Sequence, residues 1–191
     1  MTKYNGDGKM IGKEMYSFSE IQQQSEQAIS KIDVVRYNEC GQEAGKNMGE
    51  AKCNGTDVFV GYMLPEVEQS TASPIFFLNY PASMKPGDLL NEKQELSFAG
   101  ESNGNKVRIA VSMRNRTVTG MEKLKLAAGT WDCFTIECEL DIRVKGGGLG
   151  LPAQIKLCEW YAPGSGIIKT ALFGRDGKML ETLELTKVLG S

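Results

Sequence analysis

Not one histidine occurs among the 191 residues. Imidazole is the commonest general base near neutral pH and the commonest metal ligand, so its absence excludes every serine or cysteine triad that depends on it. Long apolar runs are missing too. No stretch approaches the roughly 18 consecutive apolar residues of a membrane helix, and no transmembrane segment is expected. The 22 basic and 24 acidic residues are scattered along the chain, leaving a net charge of −2 and no polybasic run, so nucleic acid is not an expected partner. The opening Met1–Gly8 lacks both the basic start and the apolar run of a secretory leader. A cytosolic protein fits, and so does an exported one whose leader has been removed. Five cysteines show no Cys-x-x-Cys spacing, and nothing else in the chain calls for a metal or another cofactor.

What is present reads as β structure. At 41% hydrophobic and 24% charged residues the composition is globular, and the length suits a single antiparallel β domain over 1–191. Asp7-Gly8, Asn54-Gly55, Asn103-Gly104 and Asp176-Gly177 are hairpin signals that favour type I′ turns. Between them lie runs of period two. The clearest is Trp131–Val144, with Phe134, Ile136, Cys138 and Leu140 on one face and Cys133, Glu137, Glu139 and Asp141 on the other. Val107 to Met113 alternates in the same way, and Val118–Leu126, Ile155–Tyr161, Ser165–Phe173 and Lys178–Leu189 also read as strands. Met10–Ile21, Gln27–Tyr37, Gly45–Cys53, Asp57–Tyr62 and Glu95–Ala99 complete the set, and only Ser19–Ile29 competes as a short helix. Residues 64–93, with Pro65, Pro74, Pro81 and Pro86, read as a crossing connection that contains one short buried strand at Ile75–Leu78. The expected architecture is an all-β, strongly curved antiparallel sheet or partly open barrel.

Several stretches imitate active sites. Lys145–Pro152 is glycine-rich but lacks the Gly-Lys-Ser/Thr ending of a phosphate loop and reads as a hairpin loop. Gly164-Ser165-Gly166 lacks the glycine two residues before the serine that a nucleophile elbow requires. Pro163-Gly164 favours a type II turn there instead. Asn5, Asp7, Gly8 and Glu14 fall on EF-hand positions, but Lys3 occupies the first ligand position. Aligning apolar faces would set Leu140 opposite Leu157 and place Cys138 and Cys158 on opposite faces, leaving Cys40–Cys53 as the one pairing worth considering. Trp131, Trp160 and Tyr161 are the candidate binding residues. Trp160 falls on the face opposite Tyr161, and packing under the 64–93 crossing is the plainer role for the two tryptophans. Asn54-Gly55-Thr56 and Asn115-Arg116-Thr117 match the glycosylation acceptor pattern.

The order Asn115–Gly120, Ala128–Ile136 and Glu159–Lys169, with Lys52–Val60 and Pro81–Leu90, resembles a family of exported bacterial domains, TapB-like or of unknown function, frequent in Bacteroides-type bacteria. The resemblance implies an exported protein, periplasmic or outer-membrane associated and often a lipoprotein, with a fold similar to periplasmic lipoprotein carriers. On that footing the first expectation is a non-enzymatic cell-envelope domain that binds a lipid or apolar small molecule. The test is whether Phe134, Ile136 and Leu140 line a cleft or a filled core. An interaction module with an envelope protein as partner is the alternative. An enzyme working through Glu137, Glu139 and Asp141 alone is a third.

Overall fold

The computed structural model describes residues 1–63, 75–102, 105–145 and 153–189. Thirteen strands run in chain order: β1 (Thr2–Asn5), β2 (Met10–Phe18), β3 (Gln22–Gln24), β4 (Gln27–Asn38), β5 (Glu43–Cys53), β6 (Asp57–Met63), β7 (Ile75–Pro81), β8 (Leu89–Ser102), β9 (Asn105–Leu126), β10 (Gly129–Lys145), β11 (Ala153–Ala162), β12 (Gly166–Phe173) and β13 (Met179–Glu184). All belong to one antiparallel sheet, ordered β7-β6-β5-β4-β2-β1-β13-β12-β11-β10-β9-β8, with β3 paired only to β4. The path forms two meanders, β1 to β7 and β8 to β13, fused in the middle where β1 pairs β13. Curvature brings the two ends together, and the result is a nearly closed twelve-strand barrel with one unsealed seam between β7 and β8.

The hairpin positions follow the sequence, but the turn chemistry does not. Three hairpins share one device: a turn closed by Gly8 N–H to Asn5 O, Gly41 N–H to Asn38 O and Gly177 N–H to Gly174 O, with the glycine at φ of 77–79°. That is a type I turn followed by a left-handed glycine, not the type I′ turn expected at Asp7-Gly8 and Asp176-Gly177, because the preceding residue keeps a negative φ. Asn5 Oδ1 accepts the amides of Asp7 and Lys9, which commits the residue at the EF-hand-like position to capping a turn. Ser165 N–H bonds Ala162 O around Pro163-Gly164, with Gly164 at φ 76°, so this corner joins β11 to β12 as its sequence suggests. Asn103-Gly104, the glycine-rich 146–152 and residues 64–74 lie outside the described residues.

The short strand expected at Ile75–Leu78 within the 64–93 crossing is β7, which runs on to Pro81, and the same segment also contributes the start of β8. Ser19–Ile29 is not helical; it carries β3 and the start of β4. Nor is there a break between Val107–Met113 and Val118–Leu126, since β9 passes straight through as a 22-residue strand. It does so by bulging. Opposite β10, Glu139 pairs Arg114 and Glu137 pairs Thr117, so Asn115 and Arg116 together oppose the single residue Cys138. Asn115 takes φ 54°, a left-handed conformation that asparagine tolerates better than most residues. Because side chains alternate with period two, the extra residue reverses the faces from Arg116 to Val118, until a second irregularity at Thr119 restores them.

Side chains meeting across the barrel identify its inner face. Tyr80 on β7 stacks on Tyr161 on β11, centroids 4.2 Å apart and planes 13° from parallel, although three strands lie between them around the seam. Only side chains projecting inward can meet that way. The inner cluster holds Leu78, Tyr80, Met84, Met113, Val118, Ile136, Cys138 and Tyr161, with Val58, Val60, Phe134, Leu140 and Leu157 packed against it. Ile136 is 1% exposed and the partly buried Phe134 and Leu140 pack against the same cluster, so this stretch forms a filled core, from whose edge Leu140 also reaches an open groove. A round twelve-stranded barrel would leave a wider lumen than side chains fill. Here the walls close to side-chain contact.

Candidate functional site

Glu159 stands in phase with Leu157 and Tyr161 on β11, so the strand carries a carboxylate into the apolar layer. Without the β9 bulge, Arg116 would share the outward face of Glu137. The bulge turns it to the face of Ile136 and Cys138, where it meets Glu159. Arg116 Nη2 donates to Glu159 Oε2 at 2.8 Å and Nε to the same oxygen at 3.2 Å. The side chains are 0% and 3% exposed. Nη1 reaches across the seam to the main-chain O of Asn79 at 2.7 Å, and Tyr80 lies under the guanidinium, 4.5 Å from ring centroid to Cζ. Burial opposes the charge on Arg116, but the neighbouring Glu159 outweighs it and the pKa stands raised. Burial, with Glu159 adding to it, pushes the Cys138 thiol up to about 12. This pair was not among the sequence candidates. It joins β7, β9 and β11 and is closed to solvent among the described residues.

A ligand has room in a groove that opens mainly on the opposite face of β9–β12. This groove, of about 700 Å³, takes apolar surface from Leu140, Ile155, Phe173 and Trp160, and charged surface from Arg114, Glu137, Glu139, Asp141, Lys156 and Arg175. A smaller groove of about 350 Å³ over β8–β10 shares Arg114 and Asp141 with it. Most of these charges are already matched within the site. Arg114 bonds Asp141, Lys156 lies 2.7 Å from Glu137, and Lys93 lies 2.7 Å from Glu95. The carboxylate row is therefore tied largely to cations on the neighbouring strands. Cys158 donates its thiol proton to Glu137 Oε1 at 3.6 Å, and its pKa is pushed up to about 11 by burial and by that carboxylate.

The three candidate binding residues part company. Trp160 lines the groove; its Nε1 donates to Glu122, and Lys169 Nζ sits 5.2 Å from its ring. Trp131 shares with Trp160 a second cluster built on Cys133, Ala162 and Ile168, but does not reach the groove. Tyr161 is 5% exposed and faces the barrel interior. Packing under the crossing thus falls to Tyr161 and not to the tryptophans, because β7 lies over the inner face. The β10–β11 register also differs from that expected: Leu140 pairs Ile155 and Cys138 pairs Leu157, two residues from the predicted alignment, which leaves every face unchanged. Cys138 and Cys158 do lie on opposite faces, and all five cysteines, Cys40 and Cys53 included, are free.

Two crystal structures share the architecture. One, described as a candidate lipoprotein of Parabacteroides distasonis, is 18% identical with a TM-score of 0.77, over 97% of this chain and 91% of that one. The other, described as a candidate exported protein with a YmcC-like fold from Bacteroides fragilis, is 17% identical with a TM-score of 0.77, over 99% of this chain and 93% of that one. Likeness at this identity establishes the fold. A search of curated proteins finds no match. The family described as DUF3108-like matches residues 1–185, as the resemblance to a family of unknown function implied, and the chain belongs to it.

Proposed function

We propose that this protein is a non-catalytic, exported domain of the bacterial cell envelope that binds an amphiphilic, lipid-like molecule in the groove beside Trp160. The groove carries the reading. Its volume of about 700 Å³ falls within the range of small-molecule sites, and it joins an aromatic and aliphatic lining to a few polar groups. Because the cations there are mostly paired to carboxylates, the site has little net field with which to select a strongly charged ligand. A neutral or zwitterionic head over an apolar body suits it best. The filled core around Ile136 counts against carriage inside the barrel, so the reading rests on the outer groove alone. Location outside the cytoplasm is supported by the descriptions of both structural neighbours, a lipoprotein and an exported protein.

The test is a titration with a lysophosphatidylcholine below its micelle concentration, followed by tryptophan fluorescence and native mass spectrometry. The wild type is expected to bind one molecule, and Trp160→Ala to weaken binding about tenfold or more, roughly the 1.5–3 kcal/mol that burying one large apolar side chain contributes. Absence of a stoichiometric complex in the wild type would overturn the reading. A second reading, an interaction module for an envelope protein, draws on the exposed Met15, Phe18 and Ile21 at 40%, 64% and 74%. It would then take first place.

A further inference from the structure

The junction between β7 and the rest of the barrel differs in kind from the others. Every other step along the sheet path is a hydrogen-bonded ladder, but β7 and β8 are its two ends and share none among the described residues. Side chains close the gap instead. Gln94 Nε2 on β8 donates to Phe77 O at 3.2 Å, and Arg116 Nη1 on β9 donates to Asn79 O at 2.7 Å. Two residues apart on one strand, these carbonyls point to the same side, along the edge of β7 that turns away from β6. Asn79 Oδ1 and Gln94 Oε1 nearby are buried with no partner, so the closure is also imperfectly satisfied.

We propose that β6 and β7 form a flap, latched by Arg116 and Gln94, which opens as a unit and uncovers an apolar site on the inner faces of β9–β11 for an apolar ligand. The arrangement of Arg116 makes the latch releasable. Its Nε and Nη2 hold Glu159 within the body of the barrel, whereas Nη1 alone reaches the flap. Opening breaks the Nη1 bond, the 3.4 Å bond from the Tyr80 hydroxyl to Glu159 Oε1 and the contact of the Tyr80 ring with the guanidinium, but leaves Arg116 and Glu159 paired with each other, so neither charge loses its counter-ion. What the flap lifts away is apolar: Val58, Val60, Leu78 and Tyr80, from over Val118, Ile136 and Tyr161. A ligand that replaces those contacts stabilises the open form by mass action. This site lies on the opposite face of the sheet from Trp160 and stands independently of the groove.

Hydrogen exchange by mass spectrometry on the full chain, for wild type, Arg116→Lys and Gln94→Leu, tests the latch. Lysine keeps a cation beside Glu159 but lacks the planar fork that lets separate nitrogens of Arg116 serve Glu159 and Asn79 O, so the bond to the flap is expected to weaken. In the wild type, amides of β6 and β7 are expected to exchange roughly tenfold or more faster than those of β10 and β11, as a cooperative unit. Each variant is expected to speed β6 and β7 by about fivefold or more with β10 and β11 unchanged, and to raise the fluorescence of added 1-anilinonaphthalene-8-sulfonate, a reporter of exposed apolar surface. Exchange of β6 and β7 at the rate of β10 and β11, or variants that speed all strands alike, would show that the seam is fixed and overturn the proposal. Faster flap exchange without a rise in dye fluorescence would overturn the apolar site beneath it.

Discussion

Two ion pairs flank the same stretch of β11 and have nearly the same length, 2.8 Å for Arg116–Glu159 and 2.7 Å for Lys156–Glu137. The first is sealed, at 0% and 3% exposure; the second stands in the groove wall at 48% and 37%. Length therefore says almost nothing about what each contributes. In water the attraction is screened and the side chains lose entropy on pairing, so an exposed pair adds little. Inside, both charges have lost their hydration, and each depends on the other and on Asn79 O and Tyr80 for compensation. The inner pair is a commitment of the fold, whereas the outer one stands open to solvent.

The largest effect expected is at the inner pair. Glu159→Gln leaves Arg116 charged and buried, and urea denaturation is expected to show a loss of about 3–5 kcal/mol. Replacing both together, Arg116→Met with Glu159→Leu, is expected to recover most of that loss; a double variant no better than the single one would mean that the cost lies elsewhere. Next comes the pH response of the inner face. Cys138 titrates near 12 in the fold against a reference of 9.0, so below pH 9 both states keep the proton and stability is unaffected. Above pH 9 the unfolded chain releases a proton that the folded chain retains, and stability falls as pH rises. Between pH 8 and 10, under reducing conditions, Cys138 is expected to account for about 1 kcal/mol of loss, from 1.36 kcal/mol per unit. That share should vanish in Cys138→Ala; an unchanged slope would contradict the assignment. The smallest effect is at the outer pair. Lys156→Ala is expected to change stability by less than about 1 kcal/mol, and a larger loss would erase the contrast between the two faces.

Much of this contrast was written in the alternation of the chain. Ile155, Leu157 and Tyr161 share a phase, and Glu159 is the charged residue within it, a signal of a buried carboxylate available from the sequence. The apolar positions of β9 run on odd numbers to Met113 and resume on even ones at Val118, and that slip marks the bulge and puts Arg116 in phase with the core. The slip is hidden because Asn115-Arg116-Thr117 falls between two runs, Val107 to Met113 and Val118–Leu126, that read as separate strands. The strands themselves were legible, since period two and glycine-containing turns are local properties. Which face β7 covers was not, because that depends on how the sheet curls and brings β7 over β11, a contact between residues 81 positions apart. The groove was illegible for the same reason: its walls come from β9, β10, β11 and the β12–β13 turn.

The fusion of the two meanders through β1 and β13 bears on how the barrel comes to exist at all. Each meander joins neighbours in sequence and can assemble from local contacts, which form quickly. The pairing of Thr2 with Glu184 instead closes almost the whole chain into a loop. For a flexible loop of about 180 residues the length-dependent closure cost is roughly 4–5 kcal/mol, which weak early contacts do not offset. The two half-sheets are therefore expected to form first and their central join last. Since β7 and β8 are joined by the short connection after Pro81, the two edges of the seam are also held near each other without waiting for that join.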